Sequence, residues 1–217
     1  PAAQITQYTY DANGSLTSTT DPLSRVSTQS YDALNRLLQA IDPVNGSGAP
    51  TKYEYDAQDN LTKVTDPKNL ATVYAYNGFN ELTSQTSPDT AGTSFTYDAA
   101  GNLATKTDAR SVQSTYSYDA LNRVATISYP AYGSDPAETV TYTYDTCTNG
   151  KGKLCSLSDK TGTTTYSYNS LGRVASKGQT VAGLTQTLSY GYNSAGQLTS
   201  VTDGSTRLGP YEVLGTI

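Results

Sequence analysis

A tyrosine followed by Asp or Asn recurs nine times along this chain, each time with similar neighbours: YTYDANGSL, QSYDALNRL, YEYDAQDNL, YAYNGFNEL, FTYDAAGNL, YSYDALNRV, YTYDTCTNGKGKL, YSYNSLGRV and YGYNSAGQL. A repeat of this length is the signature of an array, in which no single unit buries its own apolar surface and stacking of neighbours does. The marking tyrosines are Tyr10, Tyr31, Tyr55, Tyr76, Tyr97, Tyr118, Tyr144, Tyr168 and Tyr192, separated by 21, 24, 21, 21, 21, 26, 24 and 24 residues. Sixteen of the 19 tyrosines fall at this position or two residues before it, so the repeat accounts for nearly the whole chain. The expected organisation is one repeat array over residues 1–204, then a tail or the start of a further truncated repeat over 205–217.

Each copy predicts a β-hairpin. Two aromatics two residues apart lie on one face of a strand. The Asp or Asn after the second of them opens a turn, because its side-chain oxygen accepts backbone N–H groups further on. Asp11, Asp32, Asp56, Asp98 and Asp119 are turn formers of this kind. Four residues after the tyrosine stand Gly14, Asn35, Asp59, Asn80, Gly101, Asn122, Gly172 and Gly196, the residue types that best tolerate a left-handed backbone. A type I turn followed by one left-handed residue is a common short hairpin connection. An aliphatic two residues later, such as Leu16 or Val124, opens a return strand rich in Thr and Ser. Asp21-Pro22, Asp42-Pro43 and Asp66-Pro67 close such strands, since proline cannot donate to a ladder.

A lone hairpin is marginal in water, so consecutive copies must pair edge to edge. The predicted fold is all-β: tandem hairpins forming one long antiparallel sheet that twists or spirals. Composition agrees, with 35% hydrophobic residues, no Trp or Met and 19 Tyr. Such a chain cannot fill a thick aliphatic core, whereas a tyrosine buries its ring and leaves its hydroxyl to a polar partner. Disorder is the competing reading of so polar a sequence, and strict periodicity argues against it.

The chemistry of catalysis is thinly represented. The chain has no histidine, which removes Ser-His-Asp and Cys-His arrangements. The recurrent Asp is better read as a turn former than as an acid or base, because Asn77, Asn169 and Asn193 take its place. No D-x-D-x-D-G calcium loop occurs, and no cofactor is expected. A net charge of −5 without a basic run speaks against nucleic acid. No apolar run approaches the roughly 20 residues that cross a bilayer. No signal peptide is visible at Pro1, and the chain is expected to be a mature or excised piece of something longer.

Two cysteines, Cys147 and Cys155, flank the Asn-Gly-Lys-Gly tip of the seventh copy, where Leu154 stands ten residues after Tyr144 instead of the usual six. A disulfide stapling this longer loop is the expectation, contributing about 2–3 kcal/mol through the unfolded chain. It requires an oxidising compartment and so agrees with export; two free thiols in a cytosolic protein are the alternative.

YDALNRL, YDALNRV and YNSLGRV resemble the YD repeat, also called the Rhs repeat, and nine copies carry that resemblance over nearly the whole chain. The resemblance implies a β-sheet that spirals into a hollow shell, as in bacterial Rhs proteins, insecticidal toxin complexes, wall-associated proteins and teneurins. Family shells contain many more repeats, so nine would form an arc of a wall. The self-cleaving core of such shells and the variable toxin after it have no counterpart in the tail Gly209–Ile217. The implied role is a non-catalytic structural segment of a secreted or cell-surface protein whose partners are neighbouring repeats and an enclosed toxin polypeptide. An extracellular adhesion or glycan-binding module, or a fibre assembled through open sheet edges, is the alternative.

Overall fold

The computed structural model describes residues 4–43 and 48–204. The expected tail at 205–217 lies outside them. Among the described residues the regular structure is β: eighteen strands, each pair of neighbours antiparallel in the registers described below.

The chain divides into two compact units, residues 1–97 with 106–111, and residues 98–105 with 112–217. In the first unit run β1 (Gln7–Tyr10), β2 (Leu16–Thr20), β3 (Val26–Tyr31), β4 (Leu37–Ile41), β5 (Thr51–Tyr55), β6 (Leu61–Thr65), β7 (Ala71–Tyr76), β8 (Leu82–Ser87) and β9 (Ala91–Tyr97). Each pairs with the next, giving a nine-strand meander. β10 (Leu103–Thr107) precedes β11 (Gln113–Tyr118), β12 (Val124–Tyr129), β13 (Glu138–Tyr144), β14 (Leu154–Asp159), β15 (Gly162–Tyr168), β16 (Val174–Val181), β17 (Leu184–Tyr192) and β18 (Leu198–Asp203). From β11 onward this second unit is likewise a meander of consecutive neighbours.

The turns explain the register. Asp11 accepts the amide of Gly14 at 3.1 Å and donates its own to the carbonyl of Ser15 at 3.0 Å, and the same pair of bonds recurs at Asp32, Asp56, Asn77, Asp119, Asn169 and Asn193. The fourth residue is left-handed each time, with φ +60° at Asn35, +66° at Asp59 and +58° at Asn122. Beyond this turn each tyrosine-marked hairpin with a described register carries a second irregularity. Tyr118 faces Val124 whereas Ser117 faces Thr126, leaving Ala125 as an extra residue. Thr17, Leu38, Thr62, Thr83, Cys155, Ala175 and Thr199 are extra in the same way. A bulge at a fixed place in each of these eight repeats adds local twist and re-aims the backbone on either side.

The opposite edge of the sheet uses the same device. The Asp-Pro turn residues expected there close into the same turn: Asp21 accepts from Ser24, Asp66 from Asn69 and Asp108 from Ser111, and each fourth residue is again left-handed. Proline at the second turn position, Pro22 and Pro67, suits the φ that a type I turn needs there.

The two faces of the second unit differ. One carries apolar cross-strand pairs such as Tyr116–Ile127, Ile127–Val140, Tyr142–Leu157 and Tyr190–Val201. The other is built from hydroxyls and glycine: Thr141–Ser158, Ser156–Thr165, Thr165–Gly178, Gly178–Thr187 and Ser189–Thr202. Several of these hydroxyls bond one another, as Ser117 with Thr126 at 2.6 Å and Thr180 with Thr185 at 2.8 Å. Among the described residues Cys155 alone is a buried apolar side chain, so each unit is held by strand pairing and half-buried rings rather than by a closed core.

Candidate functional site

The repeated tyrosines converge on one edge of each unit, where they do what the backbone ladder cannot. Between repeats the ladder stops short of the bulge: β2 and β3 pair only as far as Ser18–Thr28, β12 and β13 as far as Thr126–Thr141. Next in line are the carbonyls of Leu16 and Val124, and the hydroxyl of the following repeat's tyrosine donates to each. Tyr31 reaches Leu16 at 2.9 Å, Tyr55 reaches Leu37 at 3.0 Å, Tyr76 reaches Leu61 at 3.0 Å and Tyr97 reaches Leu82 at 2.9 Å. In the second unit Tyr118 reaches Leu103 at 2.9 Å, Tyr144 reaches Val124 at 3.0 Å, Tyr168 reaches Leu154 at 2.7 Å and Tyr192 reaches Val174 at 3.0 Å. Tyr10, with no repeat before it in the described residues, is 60% exposed.

Burial against the preceding hairpin raises the phenol pKa of Tyr55, Tyr76, Tyr97, Tyr118, Tyr144 and Tyr168, which keeps the hydroxyls protonated and able to donate. Over three of these rings lies a cation from the repeat before: Arg36 at 4.8 Å from Tyr55, Arg123 at 4.3 Å from Tyr144 and Lys153 at 5.1 Å from Tyr168. Arg173 stands likewise 5.4 Å from Tyr192.

The turns supply a second contact. Asp119 accepts the amides of Leu121 and Arg123 through Oδ1 and holds the Arg123 guanidinium through Oδ2 at 2.7 Å. Asp32 repeats this on Leu34 and Arg36. The amide of Arg36 lowers the pKa of Asp32, and that of Arg123 lowers the pKa of Asp119, with the guanidinium adding to each. For Asp98 the amide of Asn102 is the leading cause, for Asp56 the Asn60 side chain.

The same turns reach the next repeat at its left-handed residue. Asn13 donates to Asn35 at 3.0 Å, Arg36 to Asp59 at 2.8 Å, Asn60 to Asn80 at 2.8 Å and Asn102 to Asn122 at 3.0 Å. Sequence reasoning treated Gly, Asn and Asp at this position as interchangeable for their backbone freedom. They are not. In these four pairs the Asn or Asp side chain accepts an amide or guanidinium donor of the preceding turn. Gly101 follows a turn whose Glu81 is bonded to its own Asn77, and Gly196 lies against the Arg173 guanidinium, which would have to shift to admit a Cβ.

At the seventh copy the turn is replaced by the insertion. Cys147 and Cys155 form a disulfide, with Cα atoms 5.4 Å apart. Asp145 keeps its place by accepting the Gly152 amide at 2.6 Å and pairing with Arg123. Among the described residues no cluster of three or more His, Cys, Asp or Glu is placed to hold a metal ion. No helix there is long and apolar enough to cross a membrane. What the edge does is mechanical: phenol-to-carbonyl bonds, stacked cations and turn-to-turn bonds fasten each hairpin to the next.

A β-sheet assembled from interlocking tyrosine-marked hairpins defines a structural shell repeat. The sequence model of the teneurin YD-shell family matches residues 2–135, and the chain belongs to that family. Its fold is similar to that of the TcdB2-TccC3-TEV crystal structure, with a TM-score of 0.72 and 16% identity over 92% of this chain and 11% of that one. The TcdB2-TccC3 crystal structure gives 0.69 and 15% identity over 93% and 14%. The Tc holotoxin pore of Photorhabdus luminescens, carrying a TccC3 mutation, gives 0.59 and 17% over 90% and 13%. The chain thus spans a small fraction of each of these proteins. No curated protein matches significantly.

Proposed function

We propose that this chain is a wall segment of an exported YD-repeat protein whose sheet encloses a toxic polypeptide and delivers it, most directly from a bacterial cell. The repeat-to-repeat fastening supports this reading above all. Eight tyrosine hydroxyls bond eight main-chain carbonyls of preceding hairpins, an arrangement suited to a wall that must stay continuous under load. Family membership and the likeness to toxin-complex chains support the same reading. The role of the segment is physical rather than catalytic. A disulfide suits a protein that matures outside a reducing cytosol.

The test is protease protection on the natural parent protein. A C-terminal polypeptide should resist protease in the native particle and be cut once the wall is opened with denaturant. Equal digestion before and after opening would overturn enclosure and favour an adhesive or fibrous role.

A further inference from the structure

The stapled loop touches more than its own hairpin. The carbonyl of Thr148 accepts the amide of Tyr168 at 3.1 Å, and Asn149 Nδ2 donates to the carbonyl of Tyr168 at 2.9 Å. Both backbone groups of the eighth repeat's marking tyrosine are therefore bound by the seventh repeat's insertion. Elsewhere on this edge the next repeat is reached through side chains of the turn.

The disulfide closes the loop that carries these two arms. Gly150 is buried at the corner of the loop, where a Cβ would overlap the sulfurs of both Cys147 and Cys155, so the loop is folded tightly onto the bridge. Three backbone bonds also shape it, Asp145 to Lys153, Gly150 to Cys147 and Lys153 to Gly150. All three lie inside the loop; none reaches Tyr168.

We propose that Cys147–Cys155 is a reducible latch, a site for a dithiol reductant whose action uncouples the insertion loop from the eighth repeat. The two sulfurs are not equivalent. Cys155 is 4% exposed, whereas Cys147 is only half-buried, so an incoming thiolate meets Cys147 Sγ. Cys155 is then the leaving sulfur, and the Cys147 amide lies 3.0 Å from it, placed to stabilise the departing thiolate. Attack breaks the Cys147–Cys155 bond and forms a mixed disulfide on Cys147. The reductant's second thiolate then attacks its own mixed sulfur, closing the reductant into a disulfide and releasing Cys147. Two electrons pass from the dithiol to the protein, and each cysteine ends with one proton. Thr148 and Asn149, next to Cys147, lose the constraint that presents them to Tyr168. The latch rests on this loop alone and stands whether or not the wall encloses a polypeptide.

Hydrogen exchange on the full chain, with and without dithiothreitol, tests it, with thiols counted by alkylation. Reduction without denaturant should yield two thiols, and glutathione should trap first on Cys147. The Tyr168 amide should then exchange at least about tenfold faster, out of the roughly hundredfold that closing a loop of this size is worth in the chain-entropy view. Amides of β11 and β12 should keep their rates. Two thiols with an unchanged Tyr168 amide would overturn the latch, as would resistance to the dithiol or a uniform acceleration through the second unit. Asn149→Ala in the oxidised protein isolates one arm and should reproduce part of the acceleration at Tyr168.

Discussion

Replacing Tyr118 by Phe removes one oxygen and tests the central physical claim. The hydroxyl donates to the Leu103 carbonyl, in the preceding hairpin, at 2.9 Å. A neutral hydrogen bond of this kind contributes about 0.5–1.5 kcal/mol net, and the half-exposed carbonyl left behind can recruit water, so Tyr118→Phe should cost about 1 kcal/mol. Because each clamp joins one hairpin to the one before, a triple Tyr118, Tyr144 and Tyr168 to Phe variant should lose about 3 kcal/mol, close to additive. Tyr10→Phe is the internal control: its 60% exposed ring precedes every described clamp and should cost under about 0.3 kcal/mol. Urea unfolding followed by far-ultraviolet circular dichroism supplies the numbers. If Tyr10→Phe and Tyr118→Phe cost the same, the hydroxyls are ornaments on packed rings and the clamp argument fails.

Two further measurements follow from the same geometry. In the unfolded chain a phenol ionises near 10, and burial raises it in the folded array at Tyr76, Tyr97, Tyr118 and Tyr168. Their contribution is therefore complete below that unfolded value and disappears as pH rises through the higher folded values. Melting temperature against pH should fall steeply on the alkaline side, in step with tyrosinate absorbance; ionisation that precedes unfolding with no loss of stability would contradict this. For the turns, Asp119→Asn keeps an oxygen for the Leu121 and Arg123 amides, whereas Asp119→Ala removes it. The alanine variant should unfold at clearly lower urea and the asparagine variant near the parent. An equal loss in both variants would show that charge rather than turn geometry matters at this position.

Much of the architecture was legible before any coordinates, because the hairpin is specified locally. The Asp or Asn at the turn, the left-handed residue and the aliphatic after it lie within seven residues of each other, and short-range chemistry decides them. The second bulge was not legible. Nothing in Leu16-Thr17-Ser18 marks Thr17 as extra, since its position depends on where the neighbouring strand stops pairing. The partner of each tyrosine hydroxyl was hidden for a similar reason: a main-chain carbonyl leaves no trace in the letters. At Asp21-Pro22 the dipeptide marks a turn, but nothing in it names Ser24 as the left-handed residue that completes it. The pairing of Asn60 with Asn80 was hidden by treating each copy alone, since its donor and acceptor stand in consecutive copies.

The acceptor of every tyrosine clamp is a peptide oxygen. A peptide oxygen is common to all amino acids, so a hairpin gripping its predecessor asks nothing of that predecessor's side chain at the point of grip. Copies can therefore diverge, be deleted or be duplicated, and each new joint is competent on arrival. A wall built this way can change its length by recombination without first evolving a matching surface, and its sequence is free to drift nearly everywhere except at the tyrosine and the turn that presents it.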